Sequence, residues 1–501
     1  MDKEKRIDWI VTFVPFALIL SIAGLFCVYP KESNNILSKI RFFFGDTIGV
    51  YYIFIGIGVF IVSLFLCFSK LGDIRLGGQN EKPQYSFLEW GSMMFTCGLA
   101  ADILFYSFAE WMMYGANPHV TELGPISEWA NVFTLFHWSF IPWSFYLVLA
   151  VVFGYMLHVK KSSRQRYSEA CRPVLGKRVD GLLGRIIDLF AVFALLAGTA
   201  TTFSVATPLM ATIISKLLNI NIDRNIITII ILLVTCVIYT YAVIHGMKGI
   251  SLLAKLCMFM FFGLLAYVFC FGGQTRFIIE NGLESFGRMI QNFIGLSTYV
   301  DPQRNNNFPQ DWTIYYWAYW MVWCIAAPFF IGNISKGRTV KQTIIGGYCF
   351  GVGSTIISFI VLGNYSLSLQ VSGVKDFLSE YVATGDLYDM ILSVIETMPC
   401  PTLVLVVLLL TMMAFYATSF DSIAFTAASY SYKDLGENET PNKFLQLLWC
   451  ILLIVLPVAL VFSDSSMANI QSVSIISAFP IGIIMILMIW GFIKDCYKNQ
   501  S

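Results

Sequence analysis

The sequence predicts an all-α membrane protein of twelve transmembrane helices, and three observations carry that expectation. Of 501 residues, 57% are hydrophobic and only 13% are charged, about half the charged share usual in a soluble protein. Residues 189–215 and 397–420 contain no Asp, Glu, Lys or Arg, and each exceeds the roughly 20 residues a helix needs to cross the hydrocarbon core. The third observation is that Lys and Arg alternate between successive loops.

Hydropathy places the spans near 8–28, 48–69, 86–112, 132–157, 186–216, 225–244, 251–272, 312–332, 341–364, 402–428, 444–463 and 472–493. With a cytoplasmic N-terminus, loops after even-numbered spans should collect basic residues. Lys70, Arg75 and Lys82 follow span 2, and Lys336, Arg338 and Lys341 follow span 8. Span 4 is followed by Lys160, Lys161, Arg164, Arg166, Arg172, Lys177, Arg178 and Arg185. Residues 114–131, after span 3, have neither Lys nor Arg; Lys31, Lys39 and Arg41, after span 1, are exceptions. The pattern predicts a multi-pass protein of the cell membrane with both termini cytoplasmic. Residues 1–6 are charged but no small-residue cleavage site follows, so the first apolar run reads as a span and not as a removed signal.

Residues 277–293 and 374–397 are helical in pattern but too polar to span, and read as interfacial helices. Several spans contain residues that weaken a helix: Gly98 in span 3, Gly198 and Pro208 in span 5, Pro328 and Gly332 in span 8. Interrupted helices at matching places in two halves mark a midplane binding site. Spans 3 and 8 would begin two five-span halves of opposite topology. The division is then 1–85 (two N-terminal spans and a cytoplasmic loop), 86–272 (first repeat), 273–311 (interfacial helix and loop), 312–493 (second repeat) and 494–501, a short cytoplasmic tail. Neither short tail leaves room for a soluble regulatory domain.

Composition also excludes. A net charge of +1 and the lack of a basic tract outside the loops argue against a nucleic-acid partner. The twelve Cys are scattered without a Cys-x-x-Cys pair, and the four His are not spaced as metal ligands. No Ser/His, paired-Asp or His-Glu-x-x-His arrangement suggests an intramembrane enzyme, and no cofactor beyond a coupling Na⁺ or H⁺ is expected. A channel would favour a polar pore lining.

Span 8 opens Trp312-Thr313-Ile314-Tyr315-Tyr316-Trp317-Ala318-Tyr319-Trp320-Met321-Val322-Trp323, in which seven of twelve residues are aromatic. Helical periodicity puts Tyr316, Trp320 and Trp323 on one face, with Tyr319 or Trp317 at its margin. A smaller cluster in span 4 contains Phe136, His137, Trp138, Trp143, Phe145 and Tyr146. An interfacial aromatic belt explains Trp312 well. It explains Trp320 and Trp323 badly, because they fall two or three turns inside the span. The alternative is a cage for a trimethylammonium group. Such a cation has no N–H to donate, but ring faces attract it at ~0.5–2 kcal/mol each.

Phe308-Pro309-Gln310-Asp311-Trp312-Thr313, the aromatic run, and Ile334-Ser335-Lys336-Gly337-Arg338-Thr339 resemble the signature of the betaine/carnitine/choline transporter (BCCT) family. In that family the run reads "FYWAWW" and is followed by "ARISRGR". Leu135-Phe136-His137-Trp138 with Pro142-Trp143 is similar to the family's span 4 motif. The resemblance extends over nearly the whole chain. It implies a homotrimer in the lipid bilayer, a LeuT-like core of two inverted repeats after two extra helices, and transport of a quaternary-ammonium solute by alternating access. It further implies a substrate box of Trp138, Tyr319, Trp320 and Trp323, with Trp143 and Tyr146 lining the outer approach. Position 319 departs from the family, which usually has Trp there.

Within the family, the short tails, Ala206-Thr207-Pro208 and the few glycines of span 3 look most like the carnitine/γ-butyrobetaine exchangers, which are ion-independent antiporters. Two features pull towards cation-coupled symport. Phe415, Thr418 and Ser419 match the family's sodium-site residues, and Cys257 or Met258 stands where the exchangers place an arginine; Lys255 reads as a snorkelling end. Asp102 stands in the middle of span 3 where betaine carriers have Gly and choline carriers commonly have Asp. An intramembrane carboxylate is a functional candidate by default, either reading a cationic substrate or carrying a coupling proton. Glu110 and Asp421 are read as structural, and Asp188 is placed near the cytoplasmic end of span 5, where solvation is easier.

Overall fold

The structure is a computed structural model that describes residues 7–162, 164–245, 250–433, 435 and 440–500. Within its helices, the side chains at 239, 241–245, 250–255, 417–418, 421–422 and 499–500 lie outside that description. Among the described residues there are helices and two isolated β-bridges, but no strand.

A helix or a bent pair of helices stands at each of the twelve predicted ranges. In chain order these are α1 (Trp9–Val28), α2 (Val50–Phe68), α3 (Phe87–Cys97), α4 (Ala101–Gly115), α5 (Ile126–His137), α6 (Phe140–Gly154), α7 (Leu182–Leu218), α8 (Arg224–His245) and α9 (Ile250–Phe271). They continue with α10 (Thr275–Thr298), α11 (Ile314–Trp323), α12 (Ala327–Ile334), α13 (Val340–Val371), α14 (Pro401–Tyr430), α15 (Lys443–Phe462) and α16 (Met467–Gln500). By length and hydropathy seven helices among the described residues could cross a membrane, or up to ten if each bent pair is one span. Each strongly apolar helix must keep its apolar surface from water, and its backbone satisfies itself internally, as a bilayer requires.

Breaks fall where the sequence weakens helices. Span 3 is the pair α3 and α4, bent by 64° across residues 98–100. Span 8 is α11 and α12, bent by 54° across Cys324–Ala326. Pro328 opens α12, where its missing N–H costs no helical bond. After α9 the chain turns by 110° into α10, through Gly273 at φ +76°. This left-handed turn suits glycine. The polar helix predicted at 277–293 is therefore α10, and 374–397 forms two short helices, Phe377–Thr384 and Leu387–Glu396.

Two features differ from expectation. Residues 30–41 form an amphipathic helix, Pro30–Arg41, that carries Lys31, Lys39 and Arg41. Those exceptions to the loop pattern thus sit on a polar helix outside the spans, with Arg41 ion-paired to Asp311 at 3.2 Å. Asp188 is 1% exposed and not solvated. It accepts from Arg166 Nη1 and from the Ser168 amide and hydroxyl, each at 3.0 Å. Such partners are what a buried carboxylate needs.

The Lys/Arg loops lie at one end of the bundle. Loop 70–85 pairs with 336–340 through Leu76 N–H to Arg338 O (2.8 Å) and Gly337 N–H to Leu76 O (2.7 Å). His158, beyond α6, contacts the Gly332 carbonyl at 3.2 Å. Helices α6 and α12 meet at Gly154 and Gly332, where a Cβ on Gly332 would lie 2.6 Å from the Ala150 carbonyl. Small residues permit this backbone approach in a membrane bundle.

Candidate functional site

The two breaks face one another. Leu99 and Ala100 leave the helical path, with Ala100 extended at φ −144° and ψ 170°. Such a break exposes backbone carbonyls and amides that an unbroken helix would consume. Between the breaks and α14 lies a cavity of ≈ 1090 Å³. Trp138, Tyr146, Tyr319, Trp320, Trp323, Asp102, Phe415 and Ser419 all line it, as do Gly98, Leu99 and Ala100. Leu88 of α3 and Phe330 of α12 carry it towards the end bearing the Lys/Arg loops.

Trp320 is the hub of the aromatic wall. Its ring lies 5.6 Å from Trp138, 4.9 Å from Tyr146 and 5.8 Å from Trp143, none of them face to face. These tilted arrangements suit the ring quadrupoles. Its indole Nε1 is buried and makes no hydrogen bond. Trp138 sits at the kink between α5 and α6. Thr355 donates to its carbonyl at 2.7 Å, satisfying a group the kink frees, and its indole N–H donates to Glu110 Oε2 at 2.8 Å. Trp323 is partly exposed to the cavity and lies against Gly198, where a Cβ would stand 3.2 Å from its ring.

The margin of the predicted face is Tyr319, because Trp317 turns away to pack on Phe136 (5.4 Å) and on Gly56. Tyr316 backs the wall, stacked on His137 at 4.9 Å and edge-on to Trp138 at 5.6 Å. The two residues expected on the outer approach are placed otherwise. Trp143 is fully buried and does not line the cavity; its ring fills the space above Gly98 and Gly351 and supports Trp320. Tyr146 lines the cavity one turn further towards the Lys/Arg loops, because α6 runs from the kink to that end. A Cβ on Gly351 would come within 2.3 Å of Trp143. Gly351→Ala is expected to cost ~1–3 kcal/mol of stability through overpacking, seen as a lower melting temperature in detergent; an unchanged melting curve would mean Trp143 yields freely.

Asp102 is the second residue of α4, 3% exposed. A helix N-terminus favours a carboxylate there. Tyr319 donates its hydroxyl to Asp102 Oδ2, and the same hydroxyl contacts Thr202 Oγ1 of α7 at 2.5 Å. Asp102 Oδ1 is buried without a hydrogen-bond partner. Asp102 and Tyr319, two residues the sequence singles out on separate spans, are therefore bonded to each other. Thr202 escaped the sequence reading, although it belongs to the Thr/Ser-rich stretch around Gly198.

Phe415 and Ser419 of α14 line the cavity across from the residue 98–100 break, whereas the Thr418 side chain is outside the described residues. Cys257 and Met258 of α9 share this wall, and the Lys255 side chain is outside the described residues, as is that of Asp421. Carbonyls of an opened helix with a nearby hydroxyl are hard oxygen donors of the kind that hold Na⁺ in such sites.

Apolar helices, two of them broken opposite one another around an aromatic cavity, are the architecture expected of a membrane transporter. The family model for betaine/carnitine/choline family transporters matches residues 10–501, and the chain belongs to that family. Among similar proteins are a carnitine transporter of Acinetobacter baumannii, 28% identical over 98% of this chain and 89% of its own, and a glycine betaine transporter of Bacillus subtilis, 28% identical over 99% and 95%. A high-affinity choline transport protein of Escherichia coli is 25% identical over 100% of this chain and 74% of its own.

Proposed function

We propose that this chain is a secondary active transporter of a quaternary-ammonium compound, working by alternating access between two inverted five-helix repeats and coupled to Na⁺. In this reading twelve helices span the cell membrane, both termini are cytoplasmic, and three copies assemble as the family resemblance implies. The observation that carries the reading is the convergence of Trp138, Tyr319, Trp320 and Trp323 on one buried cavity. Ring faces desolvate and attract a trimethylammonium group that offers no hydrogen-bond donor. The cavity runs towards the Lys/Arg loops, so this conformation is the one facing the cytoplasm under the loop-charge rule. A thermal-shift or tryptophan-fluorescence screen of choline, glycine betaine and carnitine tests the box, and silence with all three would refute it.

Asp102 favours a substrate that is cationic overall, such as choline, within that class. Asp102 lines the cavity and its Oδ1 has no hydrogen-bond partner, leaving an acceptor and a charge that a hydroxyl-bearing cation can use and a substrate carboxylate cannot. Na⁺ coupling rests on Phe415, Thr418 and Ser419, and on Cys257 and Met258 in place of a fixed cation. Ser419→Ala is expected to raise the Na⁺ concentration for half-maximal uptake by about tenfold, the loss of one charge-assisted contact. Uptake into vesicles that ignores Na⁺ removal would return the chain to the ion-independent exchange reading.

A further inference from the structure

Among the described residues, Glu110 is a fully buried carboxylate beside the box that the proposed transport cycle does not use. It lies two turns beyond Asp102 on α4 and is 0% exposed. Its Oε2 accepts from Trp138 Nε1 at 2.8 Å, and its Oε1 bonds the Tyr114 hydroxyl. The Tyr114 oxygen in turn meets His137 Nδ1 at 2.6 Å, and His137 Nε2 meets Thr313 Oγ1 at 3.0 Å. Thr313 follows Asp311 and Trp312, which line a second cavity of ≈ 610 Å³ that also includes Arg41 and Asn117. The chain of bonds therefore runs from the wall of the first cavity to buried Thr313, next in sequence to residues that line the second.

Every member of this chain can reverse its role. Tyr and Thr hydroxyls both donate and accept, and a neutral imidazole has one nitrogen of each kind. With Glu110 ionised, Thr313 donates to His137 Nε2, His137 Nδ1–H donates to Tyr114, and Tyr114 donates to Glu110. With Glu110 protonated, it donates to Tyr114, Tyr114 to His137 Nδ1, and His137 Nε2–H to Thr313. Going from the first state to the second, each group passes on one proton. A proton passed to Thr313 from the side of the second cavity, which Asp311 and Trp312 line next to it, restores its hydroxyl, and the net change is one proton on Glu110. Trp138 Nε1–H remains a donor to the carboxyl throughout, so the box wall senses the charge on Glu110.

The other groups facing Glu110 are the Tyr106 and Tyr316 hydroxyls. Among the described residues no Lys or Arg forms an ion pair with it. Remaining elements packed on α4 direct their polar groups elsewhere: Ser358 to Ser107, Ser366 to Trp111, Tyr416 to Thr207, and Tyr388 onto Phe105. Asp102 is held separately by Tyr319. A buried carboxylate whose partners among the described residues are a box tryptophan, neutral tyrosine hydroxyls and a reversible relay is arranged to exchange a proton, not to hold a fixed ion pair.

We propose that Glu110 is a proton-binding site, loaded through Thr313, His137 and Tyr114 and read by the substrate box through Trp138. An ionised Glu110 favours a cation in the box, so cation and proton oppose one another, and the opposition is reciprocal. This coupling rests on the box being the substrate site, whereas the proton site itself does not.

Infrared difference spectra of purified protein without ligand test the proton site. A protonated-carboxyl C=O band should appear on acidification, vanish in Glu110→Gln and persist in Asp102→Asn. A band that persists in Glu110→Gln and vanishes in Asp102→Asn would overturn the proposal. After a pH jump the band should form about tenfold more slowly in His137→Phe and in Tyr114→Phe, which break the relay but keep the carboxylate. Equal rates in both variants would overturn the relay, and these variants serve equally if Glu110→Gln fails to fold. Choline added to weakly buffered protein should release protons, and its affinity should weaken about tenfold towards acid pH, while Glu110→Gln shows neither effect. A pH-dependent affinity retained in Glu110→Gln would overturn the coupling. Failure of choline, glycine betaine and carnitine all to bind, with the Glu110 band intact, would remove the box reading and leave the proton site standing.

Discussion

Trp320→Leu is expected to weaken binding of any quaternary-ammonium ligand by at least about 30-fold, leaving the protein folded. The size follows from what the ring does. One desolvated ring face contributes up to ~2 kcal/mol to holding a cation, which alone is about 30-fold in affinity. Trp320 also touches the rings of Trp138, Trp143 and Tyr146, so its loss lets the wall relax and forfeits part of their alignment. Leucine keeps an apolar side chain in a largely buried position (4% exposed), which limits damage to the fold. The variant should elute as the same oligomer as wild type and show no ligand-induced thermal shift. Affinity within threefold of wild type would mean that the aromatic wall is a packing feature and that the cation sits elsewhere.

The fold was largely legible because it is written in quantities a bilayer reads one residue at a time. Uncharged stretches locate α7 and α14, and Lys/Arg loops distinguish one end of the bundle from the other. The break in span 3 was signalled by Gly98, whose missing side chain is needed against Trp143. The helix Pro30–Arg41 was not seen, since its polar face and short apolar stripe fall below any spanning criterion. The site was only partly legible. Trp138, Tyr319, Trp320 and Trp323 share the cavity wall, because a short helix and a kink fix their directions. Trp143, expected on an approach path, is sealed behind the wall. Its position is set by Gly98 and Gly351, residues from two other helices, and no spacing within span 4 encodes that. Thr202 and the bonds from Tyr114 through His137 to Thr313 are illegible in the sequence for the same reason: their partners lie on separate helices.

The charge at Asp102 should decide which quaternary-ammonium compound is preferred, and Asp102→Gly is the variant with the largest expected change in selectivity. Choline would lose the acceptor at Oδ1, a charge-assisted hydrogen bond worth ~1.5–3 kcal/mol. Glycine betaine, whose carboxylate is repelled by Asp102, should bind equally well or better. The choline-to-betaine affinity ratio is thus expected to fall by about tenfold to a hundredfold. Asp102→Asn separates the two contributions, since it can keep a bond to Tyr319 while removing the charge. Tyr319→Phe acts on the same element from the other side. It deletes the hydroxyl that ties Asp102 to Thr202, leaving a buried carboxylate without its side-chain donor at a cost of ~1–3 kcal/mol. Because the two side chains are bonded to each other, their effects cannot add. In the Asp102→Gly, Tyr319→Phe double variant the Tyr319→Phe stability loss should largely disappear, with a coupling energy of ~1 kcal/mol or more. Additive stabilities would show that the pair is incidental. A choline-to-betaine ratio unchanged in Asp102→Gly would return this carboxylate to a purely structural role at the start of α4.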